Sequence, residues 1–147
     1  MIDDINYRTV DMMLFIIANL VNLLIVGIFL ARSRGLAQIE SILGLVMVAT
    51  ALPVAAAIVL NISWNREWWT IALPAPLIVF CGMELVLDYI MRLDFRNTAL
   101  LWPYIFVFYL ASLGMIGYCF SIGKPHGFIT LFTYFLNLLA TWYAHSN

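Results

Sequence analysis

The 147-residue sequence predicts an all-α membrane protein, a compact bundle of five transmembrane helices with short loops. Three observations predict it. First, 65% of the residues are apolar and only 10% are charged, whereas soluble domains are roughly 45–50% apolar and about 25% charged. A water-soluble fold of this length cannot hide so much apolar surface, because small domains leave much of their surface exposed. Second, the apolar residues fall into five runs of roughly the 17–25 residues that a membrane helix needs. Third, short polar segments separate the runs. Successive helices are therefore expected to be antiparallel neighbours in one integral membrane domain spanning residues 1–147.

The first run, 12–31, ends at the polar turn RSRG and carries Asn19 and Asn22. The segment before it, MIDDINYRTVD, holds three acids and one arginine. A secretory signal needs a basic start and a short apolar core, so this run is expected to stay in the mature protein. The second run, 39–61, has Thr50 and Pro53 near its middle, and a small-residue face of Gly44, Ala51 and Ala55 suited to close packing. The third, 69–91, contains Pro74 and Pro76, each of which removes a helical hydrogen bond and favours a kink. Further along it stand Cys81, Glu84 and Asp88. The fourth, 99–121, carries Tyr109 and Ser112, with Gly114 and Gly117 as close-packing positions. After it, GKPHG is expected to make a tight turn. The fifth, 128–144, places Thr130, Thr133, Asn137 and Thr141 on one continuous polar face.

Arginine and lysine counts in short loops set the expected orientation. Arg32, Arg34, Arg92 and Arg96 fall on one side, and Arg8, Arg66 and Lys124 on the other. This balance, with the acidic N-terminal tail, puts the N-terminus outside and the C-terminus in the cytoplasm of a plasma (inner) membrane. Trp64, Trp68 and Trp69 then mark the outer interface, and Trp102 and Trp142 the inner one. Cys81 and Cys119 differ in depth by about 13 Å along their helices. A disulfide needs alpha carbons within about 7 Å, so two free thiols are expected.

Taking each run's midpoint as the bilayer centre, every helix brings a hydrogen-bonding side chain to a similar depth: Asn22 with Asn19, Thr50, Glu84, Tyr109 with Ser112, and Asn137. Two readings fit the uncharged members: a shared polar cavity, or interhelical hydrogen bonding with no further role. The acids favour the first. Glu84 lies about 6 Å inward of the centre of its run, where a charge costs roughly 2.5–3.5 kcal/mol on insertion scales and tends to be functional. Asp88 stands one turn later and Arg92 one turn after that, giving a stripe from the interior to the cytoplasmic surface. A shared proton or a bound cation would neutralise the two carboxylates. Asp88 and Arg92 also fit a plain i,i+4 ion pair. The candidate binding residues are thus Glu84, Asp88, Asn22, Asn19, Asn137, Tyr109 and Arg92.

The net charge of −1 with no basic block gives no sign of a nucleic-acid partner. No metal-ligand cluster is visible: His126 and His145 stand nineteen residues apart, roughly 28 Å along a helix. No catalytic motif or cofactor signature identifies an enzyme. The expected function is an intramembrane polar site for a proton, cation or small polar solute, in a transporter or channel. The partners expected besides the lipid bilayer are further copies in a homo-oligomer or the subunits of a membrane complex, and one alternative function is a non-catalytic subunit or assembly factor of such a complex. In that case a partner's basic group neutralises Glu84. The other is a lipid-modifying enzyme at the cytoplasmic interface, with Arg92 and Arg96 holding phosphate and Asp94 beside them.

Overall fold

The computed structural model describes residues 6–146. The acids Asp3 and Asp4 of the N-terminal tail lie outside the described residues. Every described element is helical, and five helices are long and apolar enough to cross a membrane, so the chain is a multi-pass membrane protein. The spans are Tyr7–Ser33 (α1), Ala37–Ser63, Trp69–Ile90, Leu101–Ile122 (α6) and Lys124–Ser146 (α7). The second divides into α2 (Ala37–Ala49) and α3 (Ala51–Ser63). The third divides into α4 (Trp69–Ala72), α5 (Ala75–Glu84) and a π-helical segment, Leu85–Ile90.

The helices outrun the apolar stretches for local reasons. α1 starts at Tyr7 because Asn6 caps it, its side chain accepting from the Thr9 N–H at 3.0 Å. α7 starts at Lys124, so KPHG forms its first turn and only Gly123 connects it to α6. The expected tight turn is absent there because proline in a first helical turn gives up an N–H that has no partner anyway.

α1 is the hub of the bundle and touches α2, α3, α6 and α7. Its core stripe of Val10, Leu14, Ile17, Ala18, Val21 and Ile25 recurs at helical spacing. Met47, Val54, Leu77, Phe80, Met115 and Tyr118 close the core from the other helices. Outward faces are apolar too, as lipid requires, and Trp68, Trp102 and Trp142 stand mostly exposed near the bundle ends. Cys81 and Cys119 are both buried free thiols.

The prolines act where they stand. Pro53 has no N–H for the Ala49 carbonyl, and the second span breaks at Thr50. Pro74 likewise leaves the Thr70 carbonyl without its helical partner. The Asn61 amide of α3 donates to that carbonyl at 3.1 Å. Thr70 is buried, and a freed carbonyl shut away from water needs such a protein partner. The break also brings the Leu73 carbonyl onto Gly114 of α6, where a Cβ would collide with it.

Candidate functional site

Glu84 is the last residue of α5 and is buried, with 7% of its surface exposed. It faces into the bundle, about 7 Å from the midpoint of its span at 1.5 Å per residue. Beyond it the chain widens into the π-helical segment, where the Met91 N–H donates to the Val86 carbonyl at 2.8 Å, five residues back. Wide turns of this kind are frequent at functional sites. They also end the α-helical register and so redirect the chain beyond residue 90. Arg92 adopts a left-handed backbone (φ 52°) and is exposed. The expected stripe therefore stops at Asp88, and Arg92 is not its partner.

Arg96 takes that place. It lies in a 3₁₀ turn, Phe95–Asn97, and donates through both terminal nitrogens to Asp88 at 3.1 Å each. Burial alone would lower the Arg96 guanidinium, but its hydrogen bond and ion pair with Asp88 outweigh that and hold it above its ordinary value. Across from it, Arg32 of α1 pairs with Glu40 of α2 at 2.6 Å. Both arginines are thus engaged by acids other than Glu84. Glu84 accepts a hydrogen bond from the Tyr104 hydroxyl of α6 and adjoins Asp88. Among the described residues no cationic group pairs with it.

Two cavities meet at this cluster. The smaller, about 190 Å³, lies between α1, α2 and the π-helical segment and has a polar wall that includes Glu40, Ser41, Asp88 and Tyr89. The larger, about 550 Å³, lies between α1, α5, α6 and α7. Ile25, Phe29, Phe80, Ile105 and Phe108 make most of its wall apolar, while Glu84, Arg96, Tyr104 and His145 give it a polar end. Arg32, Glu84 and Arg96 line both. No family model, curated protein or solved structure matches this chain.

The other candidate residues separate. Tyr109 lines the large cavity but is 43% exposed. Asn22 and Ser112 line a third, small cavity of about 20 Å³, which shares Ile25, Phe80 and Phe108 with the large one. Asn19 and Asn22 join α1 to α7. Asn22 donates to the Thr133 hydroxyl at 2.9 Å, Thr133 donates to Asn19 at 2.8 Å, and Asn19 donates to Thr130 at 3.1 Å. This seam is the interhelical hydrogen bonding that also fitted the sequence. Asn137 is fully buried on the same face of α7, its amide nitrogen without a partner among the described residues, and lines none of these three cavities. Thr50 donates to the Met47 carbonyl of its own helix at 2.6 Å.

A second ionic cluster at the opposite end of the bundle went unread in the sequence. Arg66, in the connection between the second and third spans, donates to both Asp11 oxygens at 2.8 and 3.3 Å and to Asn61 at 3.0 Å. The Tyr118 hydroxyl donates to Asp11 at 2.7 Å. Arg66 also lies over the Tyr7 ring, 4.7 Å from its centroid. The sequence signal for it was a lone arginine among tryptophans, SWNREWW, facing an acid at the start of the first apolar run.

Proposed function

We propose that this protein binds a small species, a proton, cation or polar solute, at Glu84 within the bilayer, in a transport or channel role. The observation that carries the reading is a buried carboxyl, with no cationic partner among the described residues, where two cavities meet. An ionised carboxylate at this depth must be neutralised, and Arg32 and Arg96 already serve Glu40 and Asp88. A proton shared with Asp88, or a bound cation, does so. The groups facing Glu84 are Asp88, Arg96, Tyr104, Arg32 and, across the larger cavity, His145.

Loop arginines favour a cytoplasmic location for the Glu84 end, in a plasma membrane. Access is then from the cytoplasm, and release to the other side requires the Asp11–Arg66 cluster to part.

The alternatives are less well supported. As a subunit, the chain would need a partner's basic group to reach Glu84, yet Glu84 faces inward. As a lipid-modifying enzyme, it would need Arg96 for phosphate, and both nitrogens of Arg96 are held by Asp88.

The test is labelling with dicyclohexylcarbodiimide, which reacts with protonated carboxyls in apolar surroundings. Mass spectrometry of the folded protein near neutral pH is expected to find the label at residue 84 by its fragment ions, with none at residue 84 in Glu84→Gln. Glu84 unreacted in folded wild type both near neutral pH and at pH 5 after dialysis against cation-free buffer, with the reagent shown active on a control carboxyl, overturns the reading.

A further inference from the structure

The larger cavity narrows the class of ligand. Its volume of about 550 Å³ falls in the range of roughly 300–1,000 Å³ typical of sites for organic molecules. A proton or bare metal ion needs no such space. Among the described residues no three His, Cys, Asp or Glu side chains gather to hold a metal. An anion would find Arg32 and Arg96 already paired, and would face Glu84. What the cavity offers, at the end of an apolar chamber, is one acid that no cationic group pairs with among the described residues.

Aromatic rings surround that end. Phe80 lies 5.4 Å from both Tyr104 and Phe108, centroid to centroid, and all three line the cavity. Tyr104 itself holds Glu84. Ring faces attract cations, most strongly where water is excluded. A carboxylate beside aromatic faces and an apolar wall matches a ligand that is positive at one end and greasy at the other.

We propose that the cavity binds an amphipathic organic monocation, a protonated amine or quaternary onium group on an apolar body, with its charge at Glu84 and its body against Phe29, Phe80 and Phe108. This rests on the reading of Glu84 as the acid of an intramembrane binding site. One ligand charge replaces the one proton that Glu84 gives up to water as the ligand enters, so binding is one to one.

The experiment uses two probes of matched shape and opposite charge, tetraphenylphosphonium and tetraphenylborate. Binding of each to the purified full chain in lipid nanodiscs is measured by equilibrium dialysis against empty nanodiscs. Saturable one-to-one binding of the phosphonium is expected, with no saturable borate binding. Glu84→Gln should weaken phosphonium binding roughly 10- to 100-fold, the loss of one charged contact, while Glu84→Asp retains most of it. Pre-treating wild type with dicyclohexylcarbodiimide should abolish binding without any mutation. Equal binding of both probes, or phosphonium binding unaffected by the label, overturns the proposal. Absent phosphonium binding overturns it as well, and the label then separates the two readings. Label on Glu84 leaves the acid-centred site standing without this ligand class, and no label removes both.

Discussion

The two ends of the bundle carry similar residues put to different uses. At the N-terminal end, Asp11, Arg66, Asn61 and Tyr118 saturate one another. At the C-terminal end, Asp88 with Arg96 and Arg32 with Glu40 do the same, but Glu84 is left with a tyrosine and two adjoining cavities. The difference is the ground of the proposed site: space adjoins an acid that no cationic group pairs with among the described residues. A closed ionic cluster explains itself as architecture.

Five variants can break or sharpen this contrast, each monitored by SDS titration of the protein in mixed micelles. Asp11→Asn strands the Arg66 charge and is expected to cost the most, about 3 kcal/mol. The pair is only partly buried, so Asp11→Leu combined with Arg66→Met should recover part of that loss. Asn61→Leu leaves the Thr70 carbonyl unpaired and is expected to cost about 2 kcal/mol. Thr133→Val removes its bonds to Asn19 and Asn22 in the seam between α1 and α7, for about 1 kcal/mol. Glu84→Gln is expected to change stability least, by under about 0.5 kcal/mol. The Tyr104 hydroxyl can donate to the new amide oxygen, and no cation is left stranded. A loss at Glu84 as large as that at Asp11 would make both ends structural and erase the contrast.

The five spans were legible because lipid demands long apolar helices, and composition states this directly. Their ends were less so. Asn6 and Pro125 extend α1 and α7 through capping and first-turn geometry that an apolar count ignores. Glu84 was legible as an acid out of place. The partner of its neighbour Asp88 was not: nothing in LVLDYI announces a π-helical turn, so counting in fours led to Arg92 when the folded chain presents Arg96 to Asp88. The polar layer at mid-depth was visible too, but depth alone cannot give azimuth. Asn19 and Asn22 turn toward α7, while Tyr109 stands partly exposed at the cavity wall. Asp11 and Arg66 escaped because they flank apolar runs, where charges read as solvated loops. Only their convergence across fifty-five residues gives them meaning.

The hydrogen bond from Asn61 to the Thr70 carbonyl also bears on how the chain is assembled. A ribosome completes Asn61 before Thr70, so the donor is already part of the preceding hairpin arm when the proline-broken segment emerges. The third helix can therefore enter the bilayer beside a ready-made donor for its orphaned carbonyl. Separate expression of the two halves, cut between residues 63 and 69, would deny it that escort.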